Sequence, residues 1–108
     1  ILVSAGYDTY YKDPLGAMRV TPEGFAAMTR ILMDIADECC GGKLVAVLEG
    51  GYHLGGLAQS ARATLMEMRD ETHMTDEQLL RLEGEADEAN RQVLKKIVSV
   101  QRAYWDVF

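Results

Sequence analysis

Lys43 to Gly56 reads KLVAVLEGGYHLGG, and the fold turns on its first half. Leu44, Val45, Ala46, Val47 and Leu48 follow one another with no polar residue between them. A strand with one wet face alternates. A continuous aliphatic run of this length is the pattern of a strand covered on both faces of a parallel sheet. Parallel neighbours need a long crossover, and the preceding residues supply one. Thr21 is a good N-cap, Pro22 suits the first helical position, and Glu23 favours the positive end of the helix dipole. Phe25, Met28, Leu32, Ile35 and Cys39 recur on one face at helical spacing, and Gly41-Gly42 ends the helix. Ahead of it, Ile1 to Ala5 reads as a short buried strand. Gly6 to Val20 reads as a loop, marked by Asp13-Pro14 and Gly16. Strand, helix and strand make one βαβ unit, expected to be right-handed.

Past the glycines a second helix is predicted, with Leu57, Ala61, Leu65 and Met68 on one face. The polar stretch Asp70-Glu71-Thr72-His73 interrupts it. Thr75 with Gln78 has the capping-box spacing, and Leu82, Ala86, Ala89, Val93, Ile97, Val100 and Tyr104 then recur at steps of three and four. That stripe predicts one long C-terminal helix, weakened by ~1 kcal/mol at Gly84 relative to Ala. The chain is therefore expected to be α/β, with a βαβα core over residues 1–70 and a helical extension over residues 71–108.

The 108 residues suit one small domain, and 48% are apolar, enough for a core. The formal net charge of −6 argues against a nucleic-acid partner, which requires a basic surface. No apolar run nears the ~20 residues of a membrane-spanning helix. Cys39 and Cys40 are adjacent, a poor arrangement for a mutual disulfide, and no C-x-x-C metal spacing occurs. A reducing cytoplasm is the expected location. The first residue is not Met and already lies in a strand-like run, so a fragment of something longer is expected.

Both loops of chemical interest follow the carboxyl ends of the two strands, where open α/β sheets bind ligands. Asp8 and Tyr52 are thus expected on one rim. From spacing alone Asp8 admits two readings: a metal ligand or general base, or a turn residue whose carboxylate accepts nearby backbone N–H groups. Tyr52 likewise either donates its O–H to a developing oxyanion or simply packs over the strand end. The GGYHLGG turn before a helix also invites a phosphate, although its spacing matches neither dinucleotide nor Walker patterns. His53 reads as a turn residue or a donor to a neighbouring ligand, and His73 as solvated. Asp34, Asp37 and Glu38 read as a solvated helix face.

Taken together, ILVSAGYD with DPLG, then VTPEGF, then LVAVLEGGYHLGGLAQS, resemble the C-terminal part of the histone deacetylase family. Bacterial members, including acetoin-utilisation proteins and acetylpolyamine amidohydrolases, look most similar, and the closing SVQRAYW resembles their last helix. The resemblance implies a fragment of the arginase–deacetylase fold, with two parallel strands, flanking helices and a long C-terminal helix. It implies that Asp8 is one of three protein ligands of a catalytic Zn²⁺. It implies that Tyr52 hydrogen-bonds the amide carbonyl and tetrahedral oxyanion. Leu15 matches a residue lining the acyl channel, and Gly50 and Gly51 match glycines beside it. Thr9 to Lys12, TYYK, departs from the small or His-containing segment of other members.

The family's Asp-x-His ligand pair and its tandem histidine have no counterpart in these residues, and neither His53 nor His73 sits in a matching motif. The resemblance therefore implies a parent enzyme that releases acetate from an acetylated lysine, polyamine or other amine. The fragment itself is expected to be inactive and to hold no Zn²⁺. Two other readings stand beside it: a non-enzymatic α/β domain binding a phosphorylated ligand at the glycine turn, and an interaction module whose third helix self-associates.

Overall fold

In the computed structural model, which describes residues 1–84 and 88–106, the chain forms two compact units, Ile1–Thr75 and Asp76–Phe108. The first unit contains β1 (Leu2–Ala5), α1 (Pro22–Cys40), β2 (Val45–Leu48) and α2 (Leu54–Met68). The strands pair in parallel, with Leu2 opposite Val45 and Ala5 opposite Leu48. Glu49 N–H continues the ladder to Ala5 O at 3.1 Å, so the two strand ends lie level and feed their loops onto one rim.

α1 starts and stops as its sequence dictates. The Thr21 hydroxyl accepts the Gly24 N–H, Pro22 opens the first turn, and Gly41 closes the helix in the left-handed conformation with its N–H on Ala36 O. The buried face differs from the predicted one. Phe25 is buried, but Met28, Ile35 and Cys39 are exposed, while Ala26, Thr29, Arg30 and Ala36 are buried. α1 turns this second face to α2, whose buried residues are Gly56, Ser60, Thr64 and Glu67; of the predicted apolar stripe Leu57, Ala61 and Met68 are half-buried and Leu65 is exposed. Along the seam the Thr29 hydroxyl donates to Phe25 O at 2.8 Å and lies 3.5 Å from the Thr64 hydroxyl. Arg30 Nε reaches Glu67 Oε1 at 2.6 Å. Small and polar side chains let the helices approach closely, an arrangement that apolar periodicity does not reveal. Met28 and Leu32 instead line a cleft of about 260 Å³ beneath the sheet, with Val3, Ala46 and Met68.

The core itself lies where a loop was predicted. Tyr7, Tyr10 and Phe25 form the buried cluster, with Ala5, Val20, Leu57 and Ala61 packed against it. The Tyr7 and Phe25 rings meet at 5.0 Å, tilted by 51°, within the centroid range of favourable aromatic pairs. Burial of the strands is the second correction. β1 alternates between exposed and half-buried residues, and all four residues of β2 are exposed, including Val45, Val47 and Leu48. Val3 and Ala46 face the cleft that α1 and α2 line, and Leu2, Val45 and Val47 are exposed on the other face.

In the second unit the described helical residues are α3 (Asp76–Gly84) and α4 (Glu88–Gln101), and the part of the predicted long helix between them lies outside the described residues. The Gly84 carbonyl accepts from Arg91 Nη2. Of the predicted stripe, Val93, Ile97, Val100 and Tyr104 are exposed. Ala86 and the side chain of Ala89 lie outside the described residues.

Candidate functional site

The loop after β1 is a closed structure. Val20 N–H donates to Thr9 O and Tyr11 N–H to Val20 O, both at 3.0 Å, so the chain returns to its own start before entering α1. Within the ring Gly16 lies on the backbone of Asp8: a Cβ there would stand 1.5 Å from Asp8 O. No other residue fits. Tyr10 points inward and its ring lies flush against Gly56 of α2. Tyr11 points out, with Lys12 Nζ 5.0 Å above its ring.

The loop after β2 meets this ring at the rim. Tyr7 N–H donates to Gly50 O at 2.8 Å. Gly50 then packs on the Asp8 side chain: a Cβ at Gly50 would come within 3.0 Å of the carboxyl carbon and 3.2–3.3 Å of both oxygens. Only glycine brings backbone this close. Gly51, at φ 144°, passes between Tyr7 and Leu57. Tyr52 follows with its side chain 58% exposed, and His53 caps α2, its Nδ1 accepting the Gly56 N–H at 2.9 Å.

The loop's two aspartates have different surroundings. Asp13 takes the turn role that the sequence left open for Asp8. Its Oδ1 accepts from Leu15 N–H at 2.9 Å and Gly16 N–H at 3.1 Å, and its Oδ2 from Tyr52 N–H at 2.8 Å and His53 N–H at 3.2 Å. Burial by itself would raise the Asp13 carboxyl, but the four backbone donors outweigh it and hold the group below its usual range. Asp8 is half-buried, and among the described residues no donor is bonded to its carboxylate. Leu15, predicted in the channel, is exposed on the turn that Asp13 closes.

This geometry also answers the phosphate reading of GGYHLGG. The N–H groups of Tyr52 and His53 face the carboxylate of Asp13, and that of Gly56 faces His53. The turn already holds an anion, and it is the chain's own.

Asp13 was visible in the sequence only as half of a turn signal. Asp-Pro-x-Gly forecasts a side chain accepting from the next few N–H groups; nothing local forecasts the bonds to Tyr52, 39 residues away. His73 is exposed, as predicted, and pairs with Asp70 at 2.9 Å. Cys39 and Cys40 are free thiols. Among the described residues, no group of three His, Cys, Asp or Glu could hold a metal ion. No helix among them is long and apolar enough to cross a membrane.

Comparison with known proteins extends these observations. Residues 1–68 match the histone deacetylase domain. The chain is 33% identical to histone deacetylase 6 of Caenorhabditis elegans over 112 residues, which is 99% of this chain and 11% of that protein. It is 55% identical to the mouse polyamine deacetylase HDAC10 over 60 residues, 56% of this chain and 8% of that protein. The crystal structure of the HDA15 HD domain superposes with a TM-score of 0.73 at 33% identity, covering 96% of this chain and 25% of that one. The chain thus spans about a tenth of the length of these curated relatives and about a quarter of the crystallised chain. Its parallel strands and flanking helices are part of the arginase–deacetylase fold, and the chain belongs to the histone deacetylase family.

Proposed function

We propose that this chain carries one metal ligand, Asp8, and the oxyanion donor, Tyr52, of a zinc-dependent deacetylase. The enzyme would be a hydrolase releasing acetate from an acetylated lysine, polyamine or other amine. The contrast between the two aspartates carries this reading. Asp13 spends its acceptor capacity on backbone, whereas Asp8 presents an unbonded carboxylate on the rim, with Gly50 shaped around it. A carboxylate so disposed suits a divalent cation as one ligand of a set completed by residues outside this chain. Zinc bound there would polarise the substrate carbonyl and activate water.

The chain's own residues have distinct tasks. The Tyr52 O–H donates to the oxygen that gains charge as the amide carbon becomes tetrahedral. Leu15 lines the path of the acyl group, with Gly50 and Gly51 forming the wall beside it. Proton transfer to the leaving amine belongs to groups that this chain does not hold. The isolated chain is accordingly inactive. Its free thiols suit a reducing compartment such as the cytoplasm.

In the full-length protein, Asp8→Ala should abolish both stoichiometric zinc and acetate release. Retention of either at wild-type level would sink the assignment. The 108-residue chain by itself should show no tight zinc isotherm in calorimetry, because one carboxylate leaves most of the coordination sphere to water.

The isolated chain should also self-associate. Both strands of its two-stranded sheet are edges, and Leu2 is 83% exposed beside Val45 and Val47. In α4, Val93, Ile97 and Val100 form a second open apolar row. Light scattering over a concentration series should show mass rising with concentration. A constant monomer mass would overturn the expectation.

A further inference from the structure

We infer that Asp13 is a positioning residue that holds the Tyr52 turn and the Leu15 turn as one unit; its catalytic consequence rests on the deacetylase reading. A carboxylate has about four lone-pair sites. Asp13 uses them in two pairs, one per oxygen. Oδ1 gathers Leu15 and Gly16, and Oδ2 gathers Tyr52 and His53 across nearly 40 residues of sequence. The two residues assigned to either side of the substrate, a channel wall and an oxyanion donor, therefore hang by their backbones from one side chain. Bonds from backbone N–H to an ionised carboxylate are the stronger kind. His53 is also the N-cap of α2, so the negative charge sits against the positive end of that helix, which reinforces the docking. The Tyr52 side chain is itself exposed. Its position must come from its backbone, and Asp13 is the group that fixes that backbone to the ring carrying Asp8.

The chemistry of asparagine separates the two halves of the clamp. Asp13→Asn keeps one acceptor oxygen, enough for the local turn at Leu15 and Gly16, and turns an NH₂ donor toward the Tyr52 and His53 N–H groups. In the full-length protein, hydrogen–deuterium exchange should quicken at Tyr52 and His53 while α1 and bound zinc stay as in wild type. Turnover should fall roughly 10- to 10²-fold, the cost of misplacing a reacting group by about 1 Å, with KM nearly unchanged. In a Tyr52→Phe background the same substitution should add little, because a donor already absent cannot be misplaced further. Asp13→Ser, whose hydroxyl serves the local turn but cannot reach Tyr52, should give the same pattern. Unchanged exchange at Tyr52 and His53, or losses from Asp13→Asn and Tyr52→Phe that multiply fully, would overturn the proposal. A wild-type protein that releases no acetate would instead remove the deacetylase reading, and the exchange data would still decide whether Asp13 clamps the two turns.

Discussion

Tyr52→Phe in the full-length protein should lower kcat by ~10²–10³, the usual cost of removing one oxyanion donor. KM and zinc content should stay near wild type. The substitution deletes a single hydroxyl from a side chain that is 58% exposed and is held through its backbone, so the turn has no structural reason to move. An interaction made only as charge develops on the substrate oxygen appears in kcat; one made equally to bound substrate appears in KM. The split is therefore diagnostic. A loss confined to KM would make Tyr52 a substrate-binding side chain. Normal turnover would remove it from the chemistry and leave the two glycines before it without a catalytic purpose.

The second large effect concerns stability. Glu67 is fully buried and collects Arg30 Nε, the Met74 N–H at 2.8 Å and the Thr72 hydroxyl. Arg30 goes on to Asp70 at 2.8 Å. One carboxylate thus fastens α1 to α2 and to the turn that leads out of α2. Glu67→Ala leaves Arg30 largely buried with only its exposed partners, Asp70 and the more distant Asp34, and should cost about 3 kcal/mol, the low end for breaking a buried pair. Urea titration measures it. A loss of only ~0.5 kcal/mol, typical of a surface pair, would mean that water reaches the seam.

The same network sets a pH dependence. Burial alone would raise the Glu67 carboxyl, but Thr72, the Met74 N–H and Arg30 outweigh it and hold the group below its ordinary value of 4.5. A folded-state pKa depressed in this way contributes stability that is complete above 4.5 and is lost as pH falls through the folded value. Asp70, held down by His73 and Arg30, acts in the same direction. The gap between wild type and Glu67→Ala should therefore narrow on acidification.

What the sequence disclosed follows from the range of the forces involved. α1 was legible to the residue at both ends, because caps and terminators act within one turn: Thr21, Pro22 and Gly41 carry their own signals. The parallel strand pair was legible because a polar-free run has few other uses. The face α1 buries was not. Thr29, Thr64, Arg30 and Glu67 are attractive partners only once two helices are side by side, and no periodicity marks them beforehand. Tyr7 and Tyr10 were assigned to a loop, and they are the core; an irregular segment that curls back on itself buries side chains without a repeat to announce them. The site divides in the same way. Asp8 and Tyr52 were singled out by motif, whereas the bonds of Asp13 to Tyr52 and His53, which span distant parts of the chain, appear only in three dimensions.

The ring that begins at Asp8 has one further consequence. Gly16 rests on Asp8, and Val20 bonds back to Thr9 and Tyr11, so the path from the end of β1 to the start of α1 is short whatever the ring contains. The side chains of Tyr11 and Lys12 lie on its outer side, exposed, and Tyr11 takes part in the closure only through its backbone N–H. Residues there can be exchanged, or the ring lengthened, with the slack taken up locally and the Asp8 carboxylate left where it is. The rim is thereby divided into a part open to drift and a part that is not, and TYYK, with Thr9 and the buried Tyr10 on one side and the exposed Lys12 on the other, lies across that division.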